Sequence, residues 1–321
     1  MYKDNNYILN SKAEAEKMLL GLKKQIAKLK VKPTLAVILV GHDPASKIYV
    51  AIKEKRAKDL GVIFQKHLLP ASITEKKIIA LIQKLNADKK ITAILLQLPL
   101  PKKFKTNTII QEIGIWKDVD GLKFFSVIPT EEPSRARREV EESKKRIPRL
   151  KATKVAARDD KGGIISPTIQ SIIHLIKLSK QKLANKKAVI LCHSQEFAEP
   201  LRQELRRQKI KVEVYLACVI PAEAGIQKEK ILDSQSCSGM TKKADIIIVT
   251  LGKKHFLKPA MLKKDAIIID VGINRVGKKI FGDVDPSCLI KTKYISPVPG
   301  GVGPLTVAYL FKNLLKLKNP S

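Results

Sequence analysis

Aromatic residues are scarce in this 321-residue chain, at 5% with a single tryptophan. That argues against a base-stacking nucleic-acid platform, which needs exposed rings set among its cations. The four cysteines, Cys192, Cys218, Cys237 and Cys288, form no CxxC pair. Such spacing fits neither a disulfide framework nor a zinc site, so no metal is expected and the thiols suit a reducing cytoplasm. No apolar run approaches the roughly 18 residues of a membrane span, so no membrane partner is expected. The opening Met1-Tyr2-Lys3-Asp4-Asn5-Asn6 lacks the charged-then-apolar pattern of a secretory leader. Acidic residues are also few: 30 Asp and Glu face 62 Lys and Arg, for a net charge of +32.

A charge of that size raises the question of nucleic acid, whose binding would be strongly salt-dependent. The excess, however, is spread along the whole chain, mostly as lysine, without an arginine-rich arm. It reads as a solvated surface that attracts small anions, with no nucleic-acid partner.

The length predicts two domains. Residues 10–30 read as an amphipathic helix. The apolar run Leu35–Val40 stops at Gly41, as a buried parallel strand should. Ser46 is placed to cap a helix running to about Leu60. Strands over 62–69 and 91–96 flank a helix over 74–86, the alternation of an α/β parallel sheet. A second series begins near Pro167, with helices over 168–178 and 197–208 and strands over 188–191 and 212–216. Apolar runs at 246–250 and 266–271 complete a Rossmann-type pattern. A final helix, Leu305 to about Leu317, follows the glycine–proline loop Pro297-Val298-Pro299-Gly300-Gly301-Val302-Gly303-Pro304. Two highly polar stretches, 127–163 and 218–240, interrupt the rhythm and open alike, on Val127-Ile128-Pro129 and Val219-Ile220-Pro221. They read as insertions, because long structureless loops are uncommon within compact domains.

Chemistry concentrates at a few places. Tyr49 and Lys53 lie four apart and share a helix face. Their apolar neighbours Ile48, Val50 and Ile52 are expected to desolvate the ammonium and lower its pKa. The competing reading is a snorkelling surface lysine beside a core tyrosine. Gln97 follows a strand at its carboxyl end, where α/β sheets bind ligands. Asp118-Val119-Asp120-Gly121 is a polar turn, and the glycine–proline loop is either a crowded turn or one wall of a site for a flat polar ligand.

In order along the chain stand Gly41-His42-Asp43-Pro44-Ala45-Ser46-Lys47-Ile48-Tyr49-Val50 with Lys53, Gln97-Leu98-Pro99-Leu100-Pro101, Lys117-Asp118-Val119-Asp120-Gly121, Asp270-Val271-Gly272-Ile273-Asn274, Gly282-Asp283-Val284-Asp285 and Pro299-Gly300-Gly301-Val302-Gly303-Pro304. These six blocks closely resemble the bifunctional methylenetetrahydrofolate dehydrogenase/methenyltetrahydrofolate cyclohydrolase family. The resemblance implies an α/β catalytic domain, residues 1–126 plus 296–321, whose C-terminal helix returns to it. It also implies a Rossmann-type NADP domain over 164–295, with 127–163 as linker and 218–240 as an insertion. A cytoplasmic homodimer acting on tetrahydrofolate derivatives, in one-carbon metabolism and purine biosynthesis, is likewise implied. Carried onto this chain, Lys53 is the key catalytic residue, held by Gln97, while Tyr49 lines the folate and assists. Asp120 binds the pterin edge, Pro299, Gly300 and Gly301 close around it, and Cys192, His193, Ser194 and Ile273 attend the cofactor.

One block departs from the pattern. The family usually reads Gly-Arg-Ser-x-x-Val-Gly-x-Pro after its first Rossmann strand; here the chain reads Cys192-His193-Ser194-Gln195-Glu196-Phe197-Ala198-Glu199-Pro200. Two lost glycines and a lost guanidinium predict weakened NADP binding and leave NAD open. A cyclohydrolase with little or no dehydrogenase activity, or a degenerate folate-binding homologue, are the alternatives.

Overall fold

The computed structural model describes residues 8–125, 164–216, 239–277 and 279–319. Helix α1 (Ser11–Ala27) precedes strand β1 (Thr34–Val40), all seven of whose residues are buried. Helix α2 (Pro44–Leu60), strand β2 (Ile63–Leu69), helix α3 (Glu75–Ala87) and strand β3 (Ala93–Leu96) follow. These strands form a parallel sheet in the order β2-β1-β3. The continuous apolar run of β1 puts it at the centre, covered on both faces, while β2 is the exposed edge. Two short helices, α4 (Thr106–Gln111) and α5 (Leu122–Phe125), close this half.

The second half begins with helix α6 (Pro167–Leu178), strand β4 (Lys187–Cys192), helix α7 (Gln195–Arg207) and strand β5 (Lys211–Leu216). Strands β6 (Ile246–Thr250), β7 (Ala266–Asp270) and β10 (Thr292–Ile295) complete a five-stranded parallel sheet ordered β10-β7-β6-β4-β5. Between β7 and β10 a small antiparallel hairpin joins β8 (Asn274–Val276) to β9 (Lys279–Phe281). The chain leaves β4 for β5 on one side and β6 lies on the other. The crevice at the carboxyl ends of β4 and β6 is therefore the topological switch point, where open α/β sheets bind ligands.

The last helix, α8 (Val302–Lys318), packs on both α1 and α6. Its buried residues share one core with the inner faces of both sheets. This two-domain α/β architecture, with a Rossmann-like parallel sheet and a returning C-terminal helix, agrees with the sequence expectation.

Two local expectations need correction. Asp43, not Ser46, caps α2: its carboxylate accepts from the Ser46 amide at 2.7 Å, and Pro44 takes the first helical position, where no amide is needed. Helix α8 begins at Val302 rather than Leu305, so Gly303 and Pro304 lie in its first turn, where a missing N–H breaks no intrahelical bond. The stretch 127–163 lies outside the described residues. So does 218–240 except for its end, where residues 239–241 are helical.

Candidate active site

Helix α2 carries the first two functional side chains. It is stopped by Gly61, whose left-handed φ of 77° suits a residue without Cβ. Tyr49 and Lys53 are both half-buried on this helix. Lys53 Nζ donates to Gln97 Oε1 at 3.0 Å. Gln97 is buried just beyond β3, and its own Nε2 donates to the Leu98 carbonyl at 2.7 Å, which fixes the amide so that its oxygen faces the lysine.

Asp120 arrives from the turn after α4. Lys117 anchors that turn by donating Nζ to the carbonyls of Leu85 and Asp88 at 2.7 and 2.6 Å, at the end of α3. The Lys123 amide donates to Asp118 Oδ2 at 2.8 Å. Gly121 has φ of 63°, and a Cβ there would sit 2.7 Å from the Ile164 carbonyl, so this close passage requires glycine.

Electrostatics then couple the group. Burial pulls the Lys53 pKa below the ordinary lysine value, and the charge of Asp120 opposes the shift. Burial raises Asp120 in turn, and Lys53 opposes that. Burial also raises the Tyr49 phenol, with Arg275 of β8 pulling the other way. The lowering by burial agrees with the sequence expectation, and of the three neighbours invoked there Val50 is buried. Ile48 and Ile52 are 42% and 43% exposed, and successive helical residues point about 100° apart.

The glycine–proline loop is pinned to α1. The Ser11 hydroxyl donates to the Gly300 carbonyl, and a Cβ on Gly300 would meet Lys12 Cε at 3.0 Å. Gly300 has φ of 107°, and a Cβ on Gly301 would lie 2.5 Å from the Pro297 carbonyl. Lys53, Gln97 and Asp120 are thus brought together with Tyr49 on the same helix, while Pro299, Gly300 and Gly301 are held by their own anchor.

At the switch point, β4 ends in Cys192, which is fully buried with its thiol pushed up to about 11 by burial. Ser194 caps α7 by accepting from the Phe197 amide at 3.3 Å. His193 Nε2 donates to the Leu251 carbonyl at the end of β6; a carbonyl partner requires the proton on that nitrogen. Neither Cys192 nor Ala198 adopts positive φ, so side chains at these two positions cost no backbone strain. Ile273, between β7 and β8, is 51% exposed. The capped N-terminus of α7 at the carboxyl end of the sheet retains the backbone N–H groups and dipole that receive a pyrophosphate, so the crevice fits a dinucleotide. His193, turned to Leu251, replaces the always-charged fork with a weaker partner for an additional phosphate.

Residues 9–120 match the tetrahydrofolate dehydrogenase/cyclohydrolase catalytic domain, and residues 166–320 match the NAD(P)-binding domain of the same family. The chain belongs to this family. The bifunctional protein FolD of Geotalea daltonii is 34% identical over 96% of this chain and 97% of its own length. That of Campylobacter hominis is 36% identical over 96% of both. Among solved structures, the bifunctional FolD methylenetetrahydrofolate dehydrogenase/cyclohydrolase from Campylobacter jejuni is similar with a TM-score of 0.77. It is 33% identical, over 97% of this chain and 98% of the other. A Trypanosoma brucei relative solved with NADP and inhibitor has the same fold, with a TM-score of 0.77 at 23% identity, over 97% of this chain and 96% of the other.

Within this family member, two residues escaped sequence reasoning. Arg275 acts across from Tyr49 and is visible only once the β8–β9 hairpin is placed. Asn313 interrupts the apolar stripe Leu310-Phe311-Lys312-Asn313-Leu314-Leu315, and that interruption was the available signal. Its Nδ2 donates to the carbonyls of Val119 and Ile165 at 3.0 and 2.9 Å, and its oxygen accepts from Gln170 at 2.9 Å. It ties α8 to the turn that carries Asp120. Asn313→Ala takes the side-chain donor from the buried Val119 carbonyl, while Gln170 Nε2 still donates to the Ile165 carbonyl at 2.7 Å, and is expected to cost about 1–3 kcal/mol, read as a lower midpoint in urea unfolding.

Proposed function

We propose that this protein oxidises 5,10-methylenetetrahydrofolate to the 5,10-methenyl form with NADP and hydrolyses that product to 10-formyltetrahydrofolate. The observation that carries the reading is the Lys53–Gln97–Asp120 group: a desolvated lysine, oriented by an amide and balanced by a carboxylate. Lys53 is the catalytic base of the hydrolysis. Its neutral amine takes a proton from the water that adds to the electrophilic methenyl carbon and returns it to the ring nitrogen as the C–N bond opens, while the remaining hydroxyl proton leaves to solvent as the formyl C=O forms. Gln97 positions the amine, Tyr49 lines the folate, and Asp120 accepts from the N–H groups of the pterin edge. Pro299, Gly300 and Gly301 wall the cleft. Cys192, His193, Ser194 and Ile273 would hold NADP in the switch-point crevice, where its nicotinamide would accept the hydride.

In this reading residues 1–126 with 296–321 form the folate unit and 164–295 the dinucleotide unit. The protein works as a cytoplasmic homodimer that supplies one-carbon units to purine biosynthesis. Among the described residues, no helix is long and apolar enough to cross a membrane.

The His193–Leu251 contact favours a second reading, in which the hydrolysis outlasts a weakened dehydrogenase. Both are tested by supplying methylenetetrahydrofolate with NADP or NAD, and methenyltetrahydrofolate separately, to the purified protein. The first reading predicts nicotinamide reduction and methenyl loss. Methenyl loss with little reduction selects the second, and turnover of neither substrate overturns both.

A further inference from the structure

In the second half two carboxylates are almost wholly buried: Asp270 at 2% and Asp283 at 0% exposure. Both are satisfied by N–H donors. Asp270, the last residue of β7, accepts from the amides of Gly272, Asp283 and Val284 at 3.0, 3.1 and 2.9 Å. Asp283 accepts from three successive amides of the turn after β6, those of Leu251, Gly252 and Lys253. It also accepts from Asn274 Nδ2, at the start of β8, at 2.8 Å. Three consecutive N–H groups converging on one carboxylate form an anion nest, filled here from within the chain.

The surrounding backbone is fitted to these groups. A Cβ on Gly272 would lie 2.2 Å from Asp283 Cγ, and one on Gly282 would lie 1.9 Å from Asp270 Oδ2. The clamped turn 251–253 stands at the carboxyl end of β6, on the switch-point crevice. Its first residue also receives the bond from His193 at the end of β4. One side chain, Asp283, therefore fixes the β6 turn against the segment that carries Ile273 and Asn274.

We infer that Asp283 is a positioning residue for the dehydrogenase half-reaction: it shapes the turn 251–253 and the start of β8 into one rigid seat for the dinucleotide. The inference rests on the function proposed above. An asparagine at this place has the same shape but turns an acceptor into a donor, so it meets at least one of the four N–H groups with another N–H. The bonds left to the amide oxygen are no longer charge-assisted, so they are weaker, and the turn loosens. The lysine of the hydrolytic group lies in the other sheet's half, and its bond to Gln97 is made without this clamp; Arg275, next to Asn274, reaches that site only through its charge on Tyr49.

The test compares wild-type protein with Asp283→Asn and Asn274→Ala, the second removing one donor and leaving the three backbone bonds in place. Calorimetry gives the Kd for NADP, amide hydrogen exchange reads residues 251–253, and methenyl hydrolysis is followed without dinucleotide. Asp283→Asn is expected to raise the Kd and KM for NADP roughly tenfold, the worth of one charged hydrogen bond, and to speed exchange at 251–253. Methenyl hydrolysis stays within about twofold. Asn274→Ala shows the same pattern at about threefold, and decides the matter if Asp283→Asn does not fold. Unchanged NADP affinity in the folded variants, or both activities falling in proportion, overturns the inference alone. Wild-type protein that neither binds nor reduces NADP overturns the dehydrogenase reading and this inference with it.

Discussion

Lys53→Met is expected to lower the kcat of methenyl hydrolysis by roughly 10²- to 10⁴-fold, the range of a positioned acid–base group. Methionine keeps the length and apolar stem of lysine but can neither hold a proton nor donate to Gln97 Oε1, so folding is retained while the chemistry is lost. The measurement is the decay of methenyltetrahydrofolate at saturating substrate, and an unchanged rate removes Lys53 from the mechanism. The pH profile supplies an independent check. Burial holds the Lys53 amine below the ordinary lysine value, so its neutral, proton-accepting form is fully present above that lowered pKa and is lost as pH falls through it. The opposing influence is the charge of Asp120. Asp120→Asn removes that charge, leaves the desolvation, and should move the rising limb to lower pH. A limb that stays in place, or moves upward, shows that the titrating group is not Lys53.

Gly282→Ala adds a single methyl group and is expected to destabilise the fold by about 4 kcal/mol or more. The added Cβ would stand 1.9 Å from Asp270 Oδ2, and Val298 Cγ2 lies 3.1 Å away on another side. Asp270 cannot swing aside without leaving three backbone amides unpaired inside the protein. Each such loss costs about 1–3 kcal/mol, and overpacking adds its own strain. Against a typical stability of about 5–15 kcal/mol, the variant should unfold at much lower urea or accumulate as aggregate. Gly21→Ala is the control. It lies in the exposed interior of α1 with nothing within 4 Å of a new Cβ, so it should stabilise by about 1 kcal/mol. Equal unfolding midpoints for the two variants would show that the packing around Asp270 yields readily.

The parallel strands were legible because their burial is written as continuous apolar runs. Leu35–Val40 and Ile246–Thr250 need no partner information to read as central strands. Element ends were less legible, since they depend on competing caps. Asp43 and Ser46 are both good capping residues, and only the backbone conformation at Asp43 settles which one bonds the helix. The motif residues Tyr49, Lys53, Gln97 and Asp120 could be chosen by their types and order. Their distances and burial could not, because the Lys53–Gln97 bond spans 44 residues and the charge that opposes the Lys53 shift comes from Asp120.

By itself, then, the amino-acid order determined the α/β class, the family and the departure at Cys192–Pro200, each of which is a property of local pattern. The resemblance also implied that Gln97 holds Lys53 and that the last helix returns; the contacts themselves belong to the tertiary structure. Lys53 meets Gln97 across 44 residues, and α8 reaches back across 194 to hold the Val119 carbonyl. His193 turns to a carbonyl 58 residues away, and Asp283 gathers amides 30 to 32 positions before it. Burial, Coulombic coupling and hydrogen-bond convergence depend on distance in space, and no window along the chain contains that distance.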